Sequence, residues 1–241
     1  MFKENRNKGF ISGLILSLVL FLVAGGMGFM WNLHQHPTDP FADDTSSGKE
    51  VTLTVYDIYP EVVGEVDGGS VIYLVQYSQD GDGKFAVVEA KENDESIKKL
   101  IDQATAGTLA ENPGTLVGTQ LQPLSTNVNK SRNNRIVDLS GFLKSILDPT
   151  STVYLNMNSS VYLSLTEHSR EGWYYVIGIA IFGGLALFTL VGAFLLRRKS
   201  IASYKELYQT YPELQGNLEG IADQADFYDQ DLKVILYKNH L

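Results

Sequence analysis

The sequence predicts a membrane protein with two transmembrane helices and an α+β extracytoplasmic domain whose sheet is mostly antiparallel. Three observations carry that class. Two uncharged apolar runs, residues 10–31 and 173–196, are each long enough to cross a bilayer. The stretch between them alternates strand-like and helix-like apolar periods. Positive residues flank both runs on the same side. Of the 241 residues, 44% are apolar and 11% aromatic, too many for a disordered chain. The net charge of −9, from 19 basic and 28 acidic residues, offers no basic stripe for nucleic acid. A mean hydropathy of −0.06 averages two apolar spans against a polar remainder, so a single soluble globule is excluded too.

After a cytoplasmic N-terminus over residues 1–9, Phe10 to Trp31 holds 22 positions without a charge. A helix of that length rises roughly 33 Å. A cleaved secretory signal is the competing reading, because Lys3, Arg6 and Lys8 form a basic start and Ala24 to Gly28 supply small residues. Against it, the apolar region runs on through Met27, Phe29, Met30 and Trp31, where a signal would have stopped. An uncleaved anchor is expected. The second run, Trp173 to Leu196, ends at Arg197, Arg198 and Lys199, a stop-transfer pattern. The opposite flanks carry Asp39, Asp43, Asp44, Glu167 and Glu171 with only Arg170. Both termini are therefore expected in the cytoplasm and residues 33–172 outside a plasma membrane, with Trp31, Trp173, Tyr174 and Tyr175 at the outer interface. Gly9, Gly13, Ser17, Ala24 and Gly28 in the first helix, and Ala180 with Gly184 in the second, are small residues spaced for close helix packing, within the chain or with another subunit. Small residues are also ordinary membrane-helix composition. Neither span contains a carboxylate, lysine, arginine or histidine, which argues against an ion path or proton relay.

Residues 32–50 read as a polar juxtamembrane linker and 51–166 as the folded domain. Residues 33–172 carry 20 acidic and 10 basic side chains, so the outer part is acidic by itself. Val51, Leu53 and Val55 alternate with polar neighbours as a strand. A turn at Val66 to Ser70 leads to a second strand, Val71 to Tyr77, and Asp80-Gly81-Asp82-Gly83 to a third, Phe85 to Ala90. Asn93 to Ser96 caps a helix with Ile97, Leu100, Ile101 and Ala104 on one face. Leu116, Val117 and Leu121 suggest a fourth strand. After the polar stretch Ser125 to Arg135, a helix over Leu139, Phe142, Leu143, Ile146 and Leu147 stops at Asp148-Pro149. Val153 to Leu165 reads as strand, folded as a hairpin at Asn158-Ser159. This order matches an oligonucleotide/oligosaccharide-binding-type (OB-like) small barrel with one insertion, and fold order alone assigns no ligand.

Candidate chemistry is sparse. Ser78 to Glu89 fits an EF-hand loop at Asp80, Asp82, Gly83 and Glu89, but it lies between strands, and Asp-Gly there reads as a hairpin turn. His34 and His36 with Asp39, Asp43 and Asp44 offer metal-type donors in a segment that reads as solvated linker, so no metal is expected. There is no cysteine, no Gly-x-Ser-x-Gly context and no phosphate-binding loop, and His168 is the only other outer histidine. The carboxylates Asp94 and Glu95 fit capping of a helix start. Asn129-Lys130-Ser131 and Asn158-Ser159-Ser160 are sequons, meaningful only in a eukaryotic secretory pathway; an outer domain without cysteine points to a bacterial membrane instead.

Beyond Lys199 lies a cytoplasmic tail, part of the segment 197–241. Ile201, Tyr204, Leu207, Tyr208 and Tyr211 recur at helical spacing up to Pro212, and Leu218, Ile221, Ala222 and Ala225 suggest a second helix. Tyr204 with Leu207 and Tyr211 with Leu214 also resemble short sorting motifs. An acidic turn, Asp226 to Asp231, precedes a strand, Leu232 to Tyr237. One strand cannot form a sheet, so Leu232, Val234 and Leu236, with Tyr204, Tyr208 and Tyr211, are expected to meet a protein partner or a second copy. The tail YPELQGNLEGIADQADFYDQDLKVILYKNHL, with the two-helix frame, resembles poorly characterised two-pass membrane proteins of Gram-positive bacteria. That resemblance implies no catalytic residues. The functional expectation is a non-enzymatic accessory or interaction module for a membrane complex, without cofactor, partnered by the lipid bilayer and by protein rather than nucleic acid. The alternatives are a cell-envelope sensor or ligand-binding protein, and a membrane-anchored hydrolase assembled from dispersed Asp, Glu, Ser and His168.

Overall fold

The computed structural model describes residues 4–42, 47–66, 68–125, 135–229 and 234–238. They fall into two compact units, Met27–Ile177 on the one hand and Met1–Gly26 with Gly178–Leu241 on the other.

The charge-free N-terminal run forms helix α1, Phe10–Gln35, which continues four residues past Trp31. The unit Met27–Ile177 then builds one sheet from β1 (Lys49–Val55), β2 (Asp57–Ile58), β3 (Gly64–Val66), β4 (Ser70–Ser78), β5 (Lys84–Lys91), β6 (Gly114–Leu121) and β7 (Tyr162–Ser164). The order is β1-β6-β7-β5-β4-β2, with β3 also on β4. β5 and β7 run parallel and the other pairs antiparallel, so the sheet is mixed. β4 and β5 form the hairpin that Asp80 to Gly83 predicts, with Gly81 at φ +61° and Gly83 at φ +81°, where an L side chain is strained.

Both faces of this sheet are covered. On one, Val71, Tyr73 and Val75 of β4 and Ala86, Val88 and Ala90 of β5 pack with Ile97 and Leu100 of helix α2, Glu95–Thr105. On the other, Ile72, Leu74, Val87, Leu121 and Tyr162 meet Leu139 and Leu143 of helix α3, Leu139–Ile146. Alternate residues of one strand thus enter opposite cores, which is why β4 and β5 read as unbroken apolar runs. Asp94 caps α2, its side chain accepting from the backbone N–H of Ser96 at 2.9 Å and of Ile97 at 3.3 Å.

Three expectations change in this unit. Val153 to Leu165 is not one folded strand: Ser151 caps a single helical turn, α4 (Thr152–Leu155), and Tyr162–Ser164 alone pairs in the sheet. Asn158 makes a side-chain turn in place of a hairpin, its Oδ1 accepting from the N–H of Ser160 at 3.0 Å and of Val161 at 3.1 Å. The juxtamembrane stretch is anchored in the domain, because Phe41 is buried in the core and its N–H donates to the Thr52 carbonyl at 2.8 Å. The polar stretch 126–134, with its sequon at Asn129, and Asp43 and Asp44 lie outside the described residues.

Helix α5, Leu165–Thr210, joins the second apolar run and the tyrosine stripe in one element of 46 residues, about 69 Å at the usual rise. Nothing between Leu196 and Ile201 breaks it; Pro212 follows its end. α1 and α5 are both long and apolar enough to cross a membrane. Within the second unit, Ser17 Oγ donates to the Ala186 carbonyl at 2.9 Å, and the Phe10 ring meets Phe194 edge-on at 5.3 Å. At the end of α5, Leu207 and Tyr208, with Tyr211 just after it, pack with Leu214, Ile221, Ile235 and Tyr237. The segment Leu218–Gln224 is a 3-10 helix. The C-terminal strand finds its partner in its own chain: β9 (Val234–Leu236) pairs antiparallel with β8 (Phe227–Asp229). The strand period was visible in 232–237; β8 sits in a segment whose acidic composition read as turn.

Candidate functional site

The register of the sheet sets a polar row into its α3-covered face. Glu50 of β1 lies opposite Thr119 of β6, Thr119 opposite Ser164 of β7, and Ser164 opposite Glu89 of β5. Directly paired residues share a face, so four polar side chains from four strands stand side by side. Glu89 is 1% exposed. Its Oε1 accepts from Ser70 Oγ at 2.5 Å, while its Oε2 is buried with no hydrogen-bond partner among the described residues. Burial pushes the Glu89 carboxyl above the ordinary carboxylate value; hydrogen bonds from Ser70 and Ser164 oppose it, the Glu167 charge adds to it and Arg170 opposes it. Tyr162 lies on the same face, its hydroxyl accepting from the Ile136 N–H at 3.2 Å, and burial pushes its phenol up.

The row opens at Glu50 into a cluster that joins three distant segments. The Glu50 carboxylate accepts from Thr119 Oγ1 at 2.6 Å and from His168 Nδ1, near the start of α5. His34, near the end of α1, places Nδ1 3.6 Å from Glu50 Oε1 and donates from Nε2 to the His168 carbonyl at 2.9 Å. The two imidazoles stack at 4.2 Å between centroids. Burial pushes the Glu50 carboxyl up, but the hydrogen bonds from His168 and Thr119 and the charge of both imidazoles outweigh it and hold its pKa below the ordinary value. One ligand atom from each of His34, Glu50 and His168 lies within 4.8 Å of the others. A hollow of about 330 Å³ adjoins them, lined in part by Met30, His36, Asp39 and Tyr175. Asp39 and His36, grouped with His34 in the sequence, line this hollow outside the triad.

A larger cleft of about 760 Å³ opens elsewhere on the same unit, lined by Ile58, Tyr59, Val62, Leu74, Phe85 and Leu147 among others. Neither it nor the cluster was visible as a motif. For the cluster a signal did exist: His34 follows one apolar run and His168 precedes the other, and antiparallel packing of two such helices brings those ends together.

The sequence-predicted interaction residues are distributed unevenly. Gly13, Ser17 and Ala24 lie on the covered side of α1; at Gly13 a Cβ would stand 2.7 Å from that of Ala193. Gly9 precedes the helix at φ +75° and Gly28 is half-buried within it, whereas Ala180 and Gly184 of α5 are exposed. Tyr204 accepts at its hydroxyl from the Asn5 N–H at 3.0 Å, Tyr208 donates to Glu4 at 2.9 Å, and Tyr211 packs edge-on against Tyr237. Val234 is exposed and Leu236 half-buried; Leu232 lies outside the described residues. Comparison with protein-family models, with curated proteins and with solved structures found no match.

Proposed function

We propose that the protein is a non-enzymatic, two-pass plasma-membrane protein whose extracytoplasmic domain is a ligand-binding module, a sensor of a cell-envelope component. Both termini are cytoplasmic in this reading, and residues 33–172 lie outside. The basic flanks of the two apolar runs support the orientation, and exposed lipid-type side chains such as Leu22 and Phe188 support the crossing. The outer sheet is read as OB-like in element order, because α2 follows the third long strand and precedes the fourth.

The observation that carries the binding role is the 760 Å³ cleft. Its volume lies within the range of small-ligand sites, and its walls are apolar with Asp57, Glu61 and Gln76 among them. Those carboxylates, on a domain with twice as many acidic as basic residues, favour an amphipathic ligand with a cationic group, such as a short envelope peptide. The test is a thermal-shift titration of the full chain in mild detergent against cationic amphipathic peptides. A saturable rise lost in Val62→Trp, which fills the cleft from an exposed position, is the expected result. A rise unchanged in that variant, or none with any peptide, refutes it.

A second reading, an interaction module acting through its tail, is favoured by one observation: Phe227 and Val234 stand exposed on the β8–β9 hairpin. Two strands alone are marginal, and a hairpin edge can accept another strand. Unchanged co-purifying partners after deletion of residues 231–241 would remove it.

A further inference from the structure

We propose that His34, Glu50 and His168 form a binding site for a divalent transition-metal ion of the zinc class, which ties the outer ends of the two apolar helices to the first strand of the sheet.

The tautomer of His34 is the starting point. Its Nε2 lies 2.9 Å from the carbonyl oxygen of His168, a group that can only accept, so Nε2 carries the proton. In the neutral ring Nδ1 then holds a lone pair, and it points at the Glu50 carboxylate from 3.6 Å. A proton on Nδ1 pairs the ring with the carboxylate across that gap, and a metal ion entering there displaces that proton and takes the nitrogen and the oxygen as ligands. His168 Nδ1 donates to the other oxygen of the same carboxylate and would release that proton to a metal, and one ligand atom from each of the three residues lies within 4.8 Å of the others.

The surroundings match what metal ligands need. A ligating imidazole ordinarily donates its remaining N–H to a carbonyl or carboxylate, which is what His34 does. A ligating carboxylate is held by an outer hydrogen bond, which Thr119 Oγ1 supplies at 2.6 Å. His34 is 6% exposed, with its ring stacked on His168 and tilted against Tyr175 at 5.5 Å, which holds the imidazole in place beside Glu50. Two imidazoles and a carboxylate suit zinc and its neighbours better than calcium or magnesium, which prefer oxygen alone. Three protein ligands leave a fourth position, and the adjoining 330 Å³ hollow gives it water and an entry route. Because the ligands come from α1, β1 and α5, with 118 residues separating Glu50 from His168, binding links three segments that no local structure joins.

The experiment uses the full chain, purified in mild detergent and stripped with a chelator, titrated with Co²⁺ as spectroscopic probe and with Zn²⁺ in competition. One equivalent of Co²⁺ with the intense visible absorption of a four-coordinate site, displaced by Zn²⁺, is expected. His168→Gln and Glu50→Gln abolish the band. Thr119→Val, which leaves all three ligands, weakens binding about 10–100-fold. Circular dichroism of each variant separates lost binding from lost fold, and Thr119→Val keeps the test open if a ligand variant unfolds. No stoichiometric band in the wild type, or a band undiminished in folded His168→Gln, overturns the site. A cleft that takes no peptide does not affect this result.

Discussion

Replacing Glu89 by glutamine takes one titrating proton out of the middle of the seven-stranded sheet, and it flattens the dependence of stability on pH. Glu89 is buried on β5 with one carboxylate oxygen unpaired among the described residues, and its pKa is raised above the ordinary 4.5 by that burial. The folded protein therefore keeps a proton that the unfolded chain releases just above that value. This contribution to stability is full in acid and is lost as pH rises through the folded pKa. One proton held by the native state alone gives a slope of about −1.4 kcal/mol per pH unit. For a chain of this size that is about 3–5 °C of melting temperature per unit. Glu171, also raised chiefly by burial, adds a slope of the same sign. Glu50, with its lowered pKa, acts with opposite sign at pH below 4.5. The difference between wild type and Glu89→Gln isolates the one group, since glutamine keeps a carbonyl oxygen for Ser70. Melting of the full chain in mild detergent with chelator, followed by near-UV circular dichroism as the pH is raised from the ordinary 4.5, reads it. Parallel profiles for the two proteins would refute the reasoning.

Two further perturbations test the packing of each unit. Tyr162→Phe leaves the Ile136 N–H buried without its partner, at a cost of about 1–3 kcal/mol, read as a lowered denaturant midpoint with unchanged slope; an unchanged midpoint contradicts the assigned hydrogen bond. Gly13→Leu forces side-chain atoms into Ala193 and separates α1 from α5, so a disulfide between Ser17→Cys and Ala186→Cys, clean in a chain without cysteine, forms readily in the parent and poorly in the Gly13→Leu background. Equal crosslinking yields in the two backgrounds contradict that seam.

Elements whose cause is local were legible. The Asp80 to Gly83 turn, the Asp94 cap and the two apolar runs each depend on residues within a few positions of one another, and each falls where its residues place it. Val153 to Leu165 reads as strand because its β-branched and aromatic residues suit one, whereas Ser151 nucleates a turn of helix and Asn158 a side-chain turn. The tail strand was legible but its partner was not, since Phe227–Asp229 carries too few residues and too much charge for a period.

By itself the sequence determined the two apolar helices, the acidic character of the part between them and the period of the long strands, because composition and periodicity act over a few turns of chain. Only the tertiary structure decided that β7 inserts between β5 and β6, one neighbour parallel and the other antiparallel. That insertion aligns Glu50, Thr119, Ser164 and Glu89 in a single row. It likewise decided that His34 leaves a polar segment to stack on His168 across one carboxylate. Such groupings depend on register between strands and on where helices end, and a one-residue slip would turn every member of the row to the opposite face.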